Sequence, residues 1–121
     1  MSWWIIAAGA TALMCAAGHA VAGWRMFYRP MRQAITNALQ GGVLAGMWHL
    51  ITIHFTLCGV ALFVLGARDG GNAVAWLVAG QFTGYAALYF VISLRLGGAT
   101  KLFQWMPFAA TAILATIAAT R

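Results

Sequence analysis

Three histidines, His19, His49 and His54, stand in some of the most apolar stretches of this 121-residue chain. An imidazole in hydrocarbon is costly unless its nitrogens are satisfied, so an ionisable group in such a segment is a functional hypothesis by default. Two imidazoles from facing helices at similar depth, with glycines beside them, are what haem b needs. His19 and His49 qualify by type, with Tyr85 as a third candidate wall residue. Gly18, Gly23, Gly46 and Gly84 supply room. A copper or zinc site would instead use Cys15 and His19, one turn apart, with His49 as the third ligand. A pocket for a quinone or a lipid head group needs only hydrogen-bonding side chains in an apolar wall. The alternative for every one of these residues is interhelical glue, an imidazole bonded to Tyr, Gln, Thr or a backbone carbonyl.

These side chains must be held by membrane helices. The chain is 64% hydrophobic and 7% charged, with a mean hydropathy of +0.87, against about 25% charge in soluble domains. A span takes roughly 20 apolar residues, and the pattern predicts four, over about 3–24, 38–65, 73–94 and 102–119. The first lacks a basic leader and its apolar run is long for a signal peptide, so it reads as a retained helix. The fold class is therefore an all-α integral membrane protein, an up-down four-helix bundle in a single domain. Trp3, Trp4, Trp24, Trp76 and Trp105 fall near span ends, as an aromatic belt requires.

The net charge of +6 would suggest nucleic acid in a soluble protein. Here the cations flank apolar blocks, and anionic lipid is the partner expected, with Arg25, Arg29 and Arg32 as the lipid interface. One side carries Arg25, Arg29, Arg32, Arg95 and Lys101, the other Arg68 and Arg121. Five against two places the first and third connections in the cytoplasm and both termini outside, in a bacterial inner membrane.

Small residues predict the packing seams, on the first helix Ala8, Ala12, Ala16, Ala20 and Gly23. On the second helix these are Gly42 and Gly46, continuing to His49, Ile53 and Thr56, which turns His49 into the bundle. On the third helix they are Gly80 and Gly84. Counted at 1.5 Å per residue from the assumed span ends, Cys15, His19, His49 and Tyr85 lie about 8–16 Å deep and His54 about 24 Å. His54, about 140° round the helix from His49, aligns with Cys58 and falls nearer Gln81.

Several classes are excluded. Asp69 is the only acid and lies in a loop, so a proton-driven exporter has no buried carboxylate to use. No HExxH, CxxC, P-loop or nucleophile elbow occurs, and Cys15 and Cys58 are not a reactive pair. An independent catalytic activity is not expected. Two functions stay open: a redox or ligand-binding protein using haem, a metal or a quinone, and an accessory subunit or homo-oligomer whose histidines only join helices.

His19, Gly23, Arg25, Arg29, Pro30 and Met31, followed by Trp48, His49 and Leu50, resemble an uncharacterised family of small four-span bacterial membrane proteins. That family carries a pattern like H-x3-G-E-x5-P-[LM] after helix one and a W-H-L triplet in helix two. The resemblance implies that His19 and His49 work together, and names no reaction. Trp24 stands where the family has its acidic residue, so a role tied to that charge is not carried over.

Overall fold

The computed structural model describes residues 2–64, 68 and 71–121, and every regular element among them is helical. α1 runs Trp3–Ala34, α2 Ala38–Val64, α3 Asn72–Arg95 and α4 Trp105–Thr120. The first three are long and apolar enough to cross a membrane, while the fourth has 16 residues. At 1.5 Å per residue α4 measures about 24 Å. The glycine-rich turn expected around 66–72, with Asp69, falls largely outside the described residues.

α1 is ten residues longer than its apolar run. Arg25, Arg29 and Arg32 follow one another at steps of four and three, a helical spacing, and the helix carries them through Pro30. What makes this possible is a change of hydrogen bonding: His19–Tyr28 is π-helical, closing with the Arg29 amide donating to the Trp24 carbonyl. Pro30 then falls at the start of the α-helical stretch Arg29–Ala34, just past this change of register. A π-segment is rare and commonly marks a functional region.

Local signals set the ends. Ser2 Oγ accepts from the Trp4 amide at 3.3 Å, and Asn37 Oδ1 caps α2 by accepting from the Leu39 and Gln40 amides at 2.9 and 3.2 Å. α3 stops at Gly97, whose φ of +101° suits a residue without Cβ. The buried Ser93 then ties down the following connection, donating to the Gly98 carbonyl at 2.7 Å and accepting from the Leu102 amide at 2.9 Å.

α1 packs on both α2 and α4, α4 packs on α3, and α2 and α3 touch little. The α1–α4 contact is a small-residue seam: Ala8, Ala12, Cys15 and Ala16 bury against a core that includes Ala112, Ala115 and Ala119. Along α1–α2 the contacts run antiparallel, from Gly9 against Phe63, through Gly59 against Leu13 and Gly23 against Trp48, to Gly41 against Arg32.

The glycine seams expected from the sequence are overturned. Gly42, Gly46, Gly80 and Gly84 have open space where a Cβ would stand and are exposed. The close approaches belong to Gly9, Gly23, Gly41 and Gly59, each spaced to receive one particular large side chain. A Phe, Trp, Leu or Arg knob buries more surface against glycine than glycine buries against glycine.

Candidate functional site

Where α2 and α3 diverge, a cavity of about 830 Å3 opens among all four helices. Its walls are mostly apolar, and five polar side chains interrupt them: His19, His54, Tyr85, Tyr89 and Gln104. Phe55 and Phe108 also face it. Their ring centroids are 5.3 Å apart, and Phe55 lies 5.8 Å from Tyr85. This aromatic wedge holds α2 away from α3. A volume of this size with a few convergent polar groups is ordinary for a small-molecule site, roughly 300–1,000 Å3.

The polar groups come in two sets. On the α2–α3 side, Tyr85 Oη and His54 Nε2 are 2.9 Å apart. Cys58 Sγ lies 3.5 Å from the same nitrogen and donates to Gln81 Oε1 at 3.5 Å. On the α1–α2 side, His19 stacks on Trp48 with centroids 4.0 Å apart and planes at 21°, and its Nε2 lies 3.2 Å from the Trp48 carbonyl oxygen. Thr52 Oγ1 donates to that carbonyl too, at 3.3 Å. Two further atoms in wall residues, Trp48 Nε1 and Gln104 Oε1, are buried without a hydrogen-bond partner among the described residues. Leaving a donor and an acceptor unpaired costs about 1–3 kcal/mol each.

The predicted site residues are redistributed. His19 and Tyr85 do line the cavity. His49 does not: it is exposed and stands beside Trp24 and Tyr28, 6.2 and 6.5 Å away between ring centroids. The inward position on that turn goes to Trp48, which is 9% exposed. Consecutive helical residues point about 100° apart, and the larger indole gains more from burial against Gly23 and His19.

The pairing of His19 with His49 as haem ligands is therefore not formed inside the bundle. The Cys15–His19–His49 metal set is not assembled either. Among the described residues no three His, Cys, Asp or Glu side chains are grouped to hold an ion, and Cys15 Sγ lies 3.9 Å from Thr111 Oγ1. His54, which the sequence aligns with Cys58 and sets near Gln81, was not among the predicted site residues, and neither was Trp48. The signal for His54 was its four-residue step to Cys58, which puts both on the face that meets α3.

Of the basic residues, Arg29 and Arg32 border a second, smaller cavity of about 330 Å3 with Trp24, Tyr28 and Gln33, and Arg25 is not in its lining. Compared with known proteins, the chain matches no family model, no curated protein and no solved structure. The resemblance described above thus rests on its own residues.

Proposed function

We propose that this chain is a four-span, up-down membrane protein that binds an amphipathic small molecule of the quinone class inside the bundle. The observation that carries this reading is the cavity itself: apolar walls of a size to hold a substituted ring, with hydrogen-bonding groups at two separate points. His54 with Tyr85 is one point, and His19 is the other. A ring bearing carbonyl oxygens on opposite edges can address both, and an apolar tail leaves through the gap between α2 and α3 into lipid. The chain gives such a ligand hydrogen bonds, aromatic contact through Phe55 and Phe108, and shelter from water.

Membrane placement is supported by the three long apolar helices and by the distribution of aromatic and basic residues. From Trp3 to Arg25 is about 33 Å of helix, close to the 30 Å hydrocarbon thickness. The charge asymmetry favours both termini outside in a bacterial inner membrane.

One observation favours a second reading, an accessory subunit or homo-oligomer in which histidines serve only as glue. Both inward imidazoles already have a protein partner within 3.2 Å. A single experiment separates the two. Protein purified in mild detergent is titrated with a short-chain ubiquinone or menaquinone while tryptophan emission is followed, since Trp48 borders the cavity. Saturable quenching, lost in Tyr85→Phe with His54→Ala, supports ligand binding. Purely linear collisional quenching, unchanged by the double variant, leaves the glue reading. An absorption spectrum of the same sample with a Soret band would shift the ligand class to haem, with His19 and His54 as the wall imidazoles.

A further inference from the structure

Beyond the central cavity, the basic end of α1 carries a second site. We infer that Arg29 and Arg32, with Gln33 and the Trp24–Tyr28 pair, form a pocket for the phosphodiester head group of an anionic phospholipid. The inference rests on the membrane placement proposed above and is independent of what the central cavity binds.

Four observations build it. The five side chains line an open surface cavity of about 330 Å3, large enough for a phosphate and its first ester carbons. Trp24 and Tyr28 are stacked, with centroids 4.3 Å apart and planes at 26°, and Tyr28 is 6% exposed, so the pair presents one aromatic wall. Arg32 is held from behind: its Cζ lies 2.8 Å from where a Cβ on the buried Gly41 would stand. A Cβ there would make this exposed, flexible side chain shift its guanidinium. Finally, Asp69 is the chain's only acid, so no carboxylate in α1 or the start of α2 competes for these cations.

Two guanidiniums three residues apart on one helix face suit an oxyanion, which they can chelate with several charge-assisted hydrogen bonds. Arg29 lies about 6 Å beyond Arg25 along the helix, so a hydrocarbon boundary at Arg25 leaves the pocket at phosphate depth. A Trp–Tyr pair next to it belongs at that level. This pocket is more than general attraction of basic loops to acidic lipid, because it depends on a glycine in another helix.

The test uses native mass spectrometry of the full chain released from detergent. Phosphatidylglycerol is titrated in, with phosphatidylcholine and inorganic phosphate as separate arms. The expected result is one saturable phosphatidylglycerol adduct that neither other arm reproduces. Arg29→Gln and Arg32→Gln should each weaken it about tenfold, the loss of one charge-assisted interaction. Gly41→Ala should weaken it several-fold with the net charge unchanged, because the new methyl displaces Arg32. Arg25→Gln removes the same charge outside the pocket and should stay within about twofold; helical circular dichroism reports whether each variant is folded. Should Arg25→Gln cost as much as Arg32→Gln, or a folded Gly41→Ala bind like the parent, the pocket is overturned in favour of diffuse charge. Inorganic phosphate that binds equally well overturns the lipid as its occupant. Failure of the membrane placement shows separately, as protein extracted from cells without detergent.

Discussion

Tyr85 Oη stands 2.9 Å from His54 Nε2, and this pair bridges the two sequence-adjacent helices that touch least. With Cys58 and Gln81 one turn further along, it fixes how far α2 and α3 open. Removing His54 leaves the half-buried Tyr85 hydroxyl without this partner, and removing the hydroxyl leaves His54 Nε2 only the weaker Cys58 thiol at 3.5 Å. A double-mutant cycle with His54→Ala and Tyr85→Phe should therefore give a coupling of about 0.6 kcal/mol, with about 1.7 as the ceiling for such bonds in membrane bundles. Unfolding in mixed micelles measures it. Strictly additive single effects would mean that the bond does not hold the helices together.

Glycines of the same helix should behave in opposite ways. A Cβ on Gly59 would meet Leu13 Cγ at 2.6 Å and the Gly9 carbonyl oxygen at 3.1 Å, and that oxygen belongs to backbone that cannot swing aside. Gly59→Ala is expected to destabilise by about 1–3 kcal/mol. Gly46 has open space instead, so Gly46→Ala should be neutral or stabilise by up to about 1 kcal/mol through helix propensity. Thermal unfolding of the two variants in one detergent decides the order. A reversed ranking would restore the Gly42–Gly46 seam as a packing surface within the chain.

The histidines should likewise separate by position. His54 and His19 border the central cavity and His49 does not. For ubiquinone binding followed by tryptophan quenching, His54→Ala should weaken affinity about three- to tenfold, the worth of one hydrogen bond. His49→Ala should leave affinity unchanged, because the side chain is exposed on the far side of that turn. Equal losses from both variants would mean that the effect reaches the ligand through stability rather than contact.

Helices were the legible part of this sequence, because four apolar runs separated by Arg, Gly and Lys leave little else to form. The position of each helix relative to its neighbours was not legible. Assuming that the span ended at Trp24 put Ala38 at the boundary and His49 about 16 Å deep. In fact α1 continues to Ala34, and Gly23 faces Trp48. His49 is thereby level with Trp24 and Tyr28. The apolar run ends at Trp24, and no local signal announced the π-segment through which the helix continues to Ala34. The small residues Ala8, Ala12 and Ala16 of α1 are buried as expected, while the glycine seams of α2 and α3 failed for a related reason. GxxxG spacing shows that helices can approach closely, yet it does not say which face the larger side chains of a neighbour will fill. Of the residues singled out by type, His19 and Tyr85 line the central cavity. The choice between His49 and His54 depended on which of Trp48 and His49 turned inward, and that was settled by packing across helices.

Orientation is the last consequence of the charge pattern that can be checked directly. Cys15 and Cys58 are each 7% exposed and should be silent toward a membrane-impermeant maleimide, so single cysteines can be added without removing them. Gln33→Cys and Lys101→Cys lie on the five-cation side, and both native residues are exposed. Arg68→Cys and Arg121→Cys lie on the two-cation side, also exposed. Lys and Arg in short loops are retained on the cytoplasmic face. Spheroplasts should accordingly label positions 68 and 121 only, and inverted vesicles positions 33 and 101 only. Labelling of position 33 from the spheroplast exterior would reverse the bundle and place the Arg29–Arg32 pocket against the outer leaflet. Labelling of positions 101 and 121 from the same side would show that α4, about 24 Å long, does not cross, leaving three spans.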